Sequence, residues 1–300
     1  MYTCIFLGAL YNIGEYLMEI KIVQKILDIL RGKIFYMSIY TKKVIGIKKI
    51  QNPKTLILGS SQLESGYIAS KDEYNLATTA QDLYYTYNLY NKYNQKSMQN
   101  IVISYSYFSS FSHILKSKEY AIIASIIKVL SDIDYQDKEL MTEDIINNEK
   151  KVREKSWIYM LRFFFLKNYN GNYKRSAYSE KFKDENPKDI GASICHALYK
   201  HPHNQNKYLE KLVKDTETKK QKLFIIIPPM PKEYRKNIPN KKELYSELYN
   251  IINNKSHIKV IDFYDSSLFS ISDFCDFLHL NYKGSLKLTK LVKEQIYTLT

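Results

Sequence analysis

The segment Thr55-Leu56-Ile57-Leu58-Gly59-Ser60-Ser61-Gln62 constrains the fold more than any other stretch of the chain. Apolar and β-branched side chains run directly into a Gly-Ser-Ser turn, and a segment able to form a helix follows. A short continuous apolar run ended by turn residues is the pattern of a parallel strand buried on both faces. Gly59 permits a sharp turn at its end. A serine at this point lies at the carboxyl end of a strand and the amino end of a helix. Open α/β sheets hold their ligands at that edge. The first N–H groups of the helix and its positive dipole end suit a developing oxyanion. Taken alone, the stretch reads better as an ordinary strand-to-helix loop with serine as N-cap.

The same pattern recurs along the chain. Strands are expected at Leu56–Gly59, Tyr74–Ala77, Ile101–Tyr105, Lys222–Ile227 and Ile258–Asp262, with Pro228-Pro229 stopping the fourth and a tyrosine-rich helix over Gln81–Tyr93. Strands separated by helical stretches predict a parallel five-stranded sheet with crossover helices on both faces. The long interval between the third and fourth strands, about 110–220, reads as a helical insertion. Within it Trp157, Met160, Leu161, Phe164 and Phe165 follow helical spacing and are expected to form a buried helix face, while Asn168–Pro187 is polar and reads as loop. Residues 1–51 read as an N-terminal helical segment outside the sheet. Ile20, Val23, Leu27 and Leu30 share one face there, and Gly32 suits a C-cap.

A chain of 300 residues suffices for one large α/β domain with an insertion. Its formal charge of +14 points to an anionic partner or surface when taken alone. But the excess is mostly lysine spread along the chain, with no Arg-rich tract and no zinc-finger spacing, so no nucleic-acid partner is expected. Cys4, Cys195 and Cys275 lack C-x-x-C spacing and cannot all pair, so they are expected as thiols. That, and the lack of Lys or Arg ahead of the apolar Met1–Met18 stretch, leads to the expectation of a cytoplasmic or inner-membrane-associated protein, with a membrane-anchored extracytoplasmic one as the alternative. Attachment of the first 50 residues to a membrane surface is compatible with their amphipathic pattern.

Near the C-terminus, Asp276 and His279 stand three residues apart just after the fifth expected strand. A short turn brings such a carboxylate against one imidazole nitrogen and leaves the other to face a serine hydroxyl. The arrangement matters because neutral serine is a poor nucleophile. A histidine must take its proton, and a carboxylate fixes the tautomer and stabilises the imidazolium. A lone D-x-x-H pairs equally well with a capping role for Asp276 and a surface position for His279. A Gly-Ser-Ser after the first strand, in this order along the chain, strengthens the catalytic reading.

Gly59-Ser60-Ser61, Asn75-Leu76-Ala77 and Asp276-x-x-His279-Leu280-Asn281-x-x-Gly284 together resemble the SGNH/GDSL hydrolase superfamily, most closely its bacterial cell-surface polysaccharide-modifying branch, from about residue 52 onward. The resemblance implies a three-layer α/β/α flavodoxin-like domain and a triad of Ser61 as nucleophile, His279 as general base and Asp276 as its orienter. It implies an O-acetyl esterase or O-acyltransferase acting on a surface carbohydrate, with an acylated sugar or acyl donor as substrate and no cofactor or metal. Ser60 stands where the superfamily usually has aspartate. The usual Gly-x-Asn-Asp block is not recognisable in Ser104–Ser109. The backbone N–H groups of Ser61 and Ala77 remain as oxyanion donors, with Gln62, Asn75 or Gln81 as replacements for the missing side chain. A catalytically weak or inactive carbohydrate-binding protein on the same fold is therefore the alternative.

Two further groups rank lower. Cys195, His196, His201 and His203 cluster in sequence but lack regular ligand spacing, and surface histidines are the plainer account. Pro228-Pro229-Met230-Pro231 lies at the ligand-binding edge of the sheet, where Tyr234 and Arg235 are either substrate contacts or parts of a rigid turn.

Overall fold

The computed structural model describes residues 36–106, 109, 121–133, 143–163, 166–167, 169–172, 182, 186–187, 205–238 and 241–297. Five strands, β1 (Thr55–Leu58), β2 (Glu73–Asn75), β3 (Asn100–Ser104), β4 (Lys222–Ile227) and β5 (Ile258–Asp262), form one sheet in the order β2-β1-β3-β4-β5. Every pairing is parallel, with Ile57 opposite Asn75 and Val102 and Ile103 opposite Ile225. This is the strand order of flavodoxin-like doubly wound sheets.

Alternate side chains of a strand point to opposite faces, so an unbroken apolar run serves a sheet covered on both sides. One face carries Ile57, Val102, Phe224 and Ile226, packed on Leu63 of α2 (Ser61–Gly66) and on Leu288, Val292 and Ile296 of α9 (Tyr282–Tyr297). The other face carries Leu56, Leu58, Ile101, Ile103, Leu223 and Ile225. It packs on α1 (residues 36–49), α3 (Leu83–Tyr93), α6 (Asn206–Thr218) and α8 (Lys241–Ile252). The result is a three-layer α/β/α fold. Met37, Tyr40, Val44 and Ile47 of α1 are part of that second core, so the described end of the N-terminal segment is packed into the main domain.

Several elements shift by a residue or two from their sequence-based bounds. The helix expected from Gln81 starts at Leu83, because Asp82 takes the N-cap and accepts from Tyr85 N–H. Between β3 and β4 the insertion supplies α4 (Ala121–Ser131) and α5 (Glu143–Arg162), whereas α6 belongs to the sheet's own helical layer.

The buried face expected of Trp157, Met160 and Leu161 is corrected. Trp157 is 60% exposed, Leu161 62% and Met160 39%. The helix instead buries Ile145 and Val152 in its first half, where Glu149 also pairs with Lys128 of α4 at 2.6 Å. The reason is length: α4 has 11 residues and α5 has 20, so the first spans about 16 Å and the second about 30 Å. Phe164 and Phe165, the Ile20–Leu30 face, and the Cys195–His203 cluster with Cys4 lie outside the described residues. Among the described residues no helix is long and apolar enough to cross a membrane.

Candidate active site

The turn after β1 is fixed by contacts with the next strand of the sheet. Gly59 has φ +122°, and a Cβ there would collide with the Ser104 side chain and backbone at the end of β3. Only glycine fits both constraints. Ser60 N–H then donates to Ser104 Oγ at 3.0 Å, and the Ser60 carbonyl accepts from Leu63 and Glu64 to open α2. Ser61 is therefore the first helical residue, on the carboxyl edge of the sheet, with Ser65 Oγ bonded to its carbonyl oxygen at 2.8 Å.

The Asp276–His279 loop is closed by an isolated bridge between Phe274 and Leu280, with Cys275 N–H donating to the His279 carbonyl at 2.9 Å. Asp276 Oδ1 accepts from the N–H groups of Leu278 and His279 at 2.8 and 2.7 Å, which folds the carboxylate back over the loop. Asn281 and Gly284 have structural reasons for their spacing. Asn281 Oδ1 accepts from Gly284 N–H at 3.0 Å at the start of α9, and a Cβ on Gly284 would strike the Asp273 carbonyl. The Asn281 side chain also holds the Ser272 carbonyl at 2.7 Å, so helix start and loop form one unit.

These two units bring Ser61, His279 and Asp276 together. His279 Nε2 lies 2.8 Å from Ser61 Oγ, and Nδ1 lies 2.9 and 3.1 Å from the two Asp276 oxygens. With the proton assigned to Nδ1, where the carboxylate accepts it, Nε2 has its lone pair toward the serine hydroxyl. Burial alone would raise the Asp276 pKa. The hydrogen bonds from the His279 ring and from the Leu278 and His279 N–H groups outweigh it, and hold the carboxyl below its usual range. Ser61 is 9% exposed, and the His279 and Asp276 side chains are 20% and 23% exposed, so the group is closed around Ser61 and partly open to solvent at His279 and Asp276.

The oxyanion candidates divide. Asn75 spends both amide protons on the Leu63 and Tyr67 carbonyls, each at 2.9 Å, and its Oδ1 accepts Ala77 N–H at 3.1 Å. Asn75 and Ala77 thus tie the β2 loop to α2 and are not open donors in this geometry. Gln81 braces the Gly59–Ser61 turn. In the amide orientation that pairs both ends, its oxygen accepts from Gly59 N–H at 2.8 Å and Thr86 Oγ1 at 3.1 Å, and its nitrogen donates to the Leu76 carbonyl at 3.3 Å. Gln62 differs: it is 5% exposed and its buried Oε1 meets no partner among the described residues. The first-turn N–H groups of Ser61 and Gln62 precede the first intrahelical bond, the position at which helices leave donors unpaired.

Sequence reasoning missed a buried ion pair beneath the site. Lys43 of α1 is fully buried, as is Glu64, one turn along α2 from Ser61, and the two charges lie 3.5 Å apart. Lys43 Nζ also donates to the Ala77 carbonyl, with the Asn75 carbonyl at 3.4 Å, while Glu64 Oε2 accepts from Thr79 Oγ1 at 2.9 Å. Burial pushes the Lys43 ammonium below its usual pKa range, and Glu64 offsets part of the shift. The signal was a lysine inside an apolar stripe, three residues after Tyr40 and four before Ile47. Lys43→Ala leaves the Glu64 carboxylate buried and unpaired. It is expected to cost about 3–5 kcal/mol in urea unfolding, whereas Lys43→Met with Glu64→Leu recovers most of that loss.

Tyr234 is buried and stacks on Phe277 at 5.7 Å between ring centroids, so the Pro228–Pro231 loop and the short helix α7 (Lys232–Arg235) brace the catalytic-type loop from outside. Arg235 Nη1 donates to the Tyr264 carbonyl at 2.9 Å. The arrangement is that of a rigid support. Cys275 is buried with Sγ 3.4 Å from the His279 carbonyl. Among the described residues no cluster of three His, Cys, Asp or Glu side chains is placed to hold a metal ion.

A family model whose description names no activity matches residues 188–300, the part of the chain that carries β4, β5, Asp276 and His279 but not Ser61. No curated protein matches the chain.

Proposed function

We propose that the chain is a serine-dependent acyl-ester enzyme of the SGNH type, an O-acetyl esterase or O-acyltransferase acting on a bacterial surface carbohydrate. The observation that carries the reading is the continuous Ser61–His279–Asp276 hydrogen-bond chain at the carboxyl edge of a flavodoxin-like sheet. The carbohydrate and the acetyl group rest on the resemblance of the three sequence blocks. Ser61 Oγ attacks the ester carbonyl carbon while His279 Nε2 takes its proton. The tetrahedral oxyanion lies against the open N–H groups at the start of α2. As the intermediate collapses, the leaving alkoxide takes the proton from His279, and the acyl group stays on Ser61. Water or a sugar hydroxyl, deprotonated in turn by His279, then receives the acyl group. Hydrolase and transferase share every one of these residues and differ only in that acceptor.

A second reading, a carbohydrate-binding protein with little or no turnover, is favoured by one observation: Asn75 and Ala77 are spent on the loop's own bonds. The loss of one oxyanion donor lowers turnover by about 10²–10³. A fluorophosphonate probe with peptide mapping separates the two. The enzyme reading expects covalent phosphonylation of Ser61, absent in Ser61→Ala and His279→Ala. A folded protein that stays unlabelled across neutral and alkaline pH would leave the binding reading in place.

A further inference from the structure

The last two turns of α5 carry Trp157, Ile158 and Leu161 at more than half exposure, with Met160 beside them. Soluble surfaces show single apolar residues of this size often, but a contiguous group of them marks a docking site. Trp157, Met160 and Leu161 form one wall of a groove of about 570 Å³, and Ile45, Lys48 and Lys49 of α1 form the other. The apolar group is set among positive charge. Lys48 and Lys49 are exposed, and α5 carries Lys150, Lys151, Arg153 and Lys155 against the single acid Glu154 over the same stretch.

From this patch we infer that the α1–α5 face docks on an anionic phospholipid surface, with Trp157 and Leu161 entering the headgroup–acyl boundary and the surrounding lysines pairing with lipid phosphates. The inference does not depend on the reading of Ser61. Tryptophan is the side chain best suited to the boundary, having an apolar body and one N–H donor. Lysine stems cover apolar surface while their ammonium groups reach the headgroups. Charge also decides between occupants. A second copy placed on this face would set two clusters of basic side chains against each other, which like-charge repulsion opposes. An anionic bilayer complements both the apolar and the basic parts of the patch.

Trp157 is the chain's one tryptophan, so it reports on this surface alone. The test uses the full chain with vesicles of pure phosphatidylcholine or with about one third phosphatidylglycerol, some carrying brominated acyl chains. The expected result is a blue-shifted Trp157 emission quenched by the brominated lipid, only on the anionic vesicles, and weakened by salt. Leu161→Glu, at a site too exposed to disturb folding, should lower vesicle binding about tenfold or more. Lys48→Gln and Lys49→Gln should each lower it about fivefold. Melting temperatures of these variants should match the parent. Vesicle binding without quenching of Trp157 would place the contact elsewhere and overturn the inference. So would an emission already blue-shifted in buffer, which on dilution would distinguish a second copy from the chain's own N-terminal residues as the cover.

Discussion

On the proposed esterase reading, Ser61→Ala should lower ester turnover by roughly 10⁶-fold, the scale of removing a triad nucleophile, with no change in melting temperature. Among the described residues the hydroxyl's hydrogen-bond partner is His279 Nε2, and the imidazole is exposed enough for water to replace that partner. The carbonyl bond to Ser65 Oγ is backbone and survives the substitution. Ser60→Ala is the informative control, since the two serines are adjacent. Ser60 Oγ is buried with no partner among the described residues, and it is the Ser60 backbone, not its side chain, that bonds Ser104. Removing an unpaired buried hydroxyl should leave stability equal or raise it by about 1 kcal/mol, and turnover should stay within a few-fold of the parent. Rates on an activated acetyl ester, with thermal melts of both variants, check the pair. A live Ser61→Ala with a dead Ser60→Ala would reverse the assignment.

Part of the molecule was legible because the signal was local. β4 and β5 fall where an apolar, β-branched run is bounded by Pro228 or by turn residues, and their bounds agree with the structure. The edges of β1, β2 and β3 moved by one or two residues, because the last residue before a loop can satisfy its backbone either in the ladder or in the turn. Leu76 N–H, for example, still donates to Ile57 although β2 ends at Asn75. The Asp276-x-x-His279 spacing was readable for the same reason as the strands: it is a short turn closed by its own backbone, Cys275 N–H to the His279 carbonyl, whereas the Gly59-Ser60-Ser61 turn is held by Ser104 of the neighbouring strand. What sequence could not supply is pairing across distance. Lys43 meets Glu64 across 21 positions, and periodicity alone gives a buried lysine no partner. The Trp157 face failed differently. Helical spacing says that apolar residues share a side, but not whether a neighbouring helix is long enough to cover them.

After Ser61, the largest effect is expected at Asp276, and it should separate from Asp273 in kind. Asp276→Asn replaces an acceptor of the Nδ1 proton with an amide that can present its N–H₂ to the ring, favouring the wrong tautomer. Turnover should fall by up to about 10⁴-fold, while the side-chain oxygen can still accept the Leu278 and His279 N–H groups and keep the loop. Asp273 is fully buried and closes a capping box with Ser270, and its Oδ2 also accepts from Lys287 at 2.6 Å. Burial raises its pKa, but the bonds from Lys287 and Ser270 outweigh that and hold it below the usual range. A depressed folded-state pKa contributes stability that is present above the unfolded value, about 3.9, and is lost as pH falls through the folded one. Asp273→Asn should therefore lower stability at neutral pH and flatten the acid limb of the stability profile, with a smaller effect on rate per folded molecule. Asp276→Asn should divide the other way between rate and stability: turnover is lost, while the urea midpoint falls less than for Asp273→Asn, because the Asp276 carboxyl is also held below its usual range but is partly exposed. Measuring both variants' kcat and urea unfolding at several pH values tests the division. If Asp276→Asn retained parental kcat, the carboxylate would have no orienting role, and the contact with His279 would be only part of the loop's own closure.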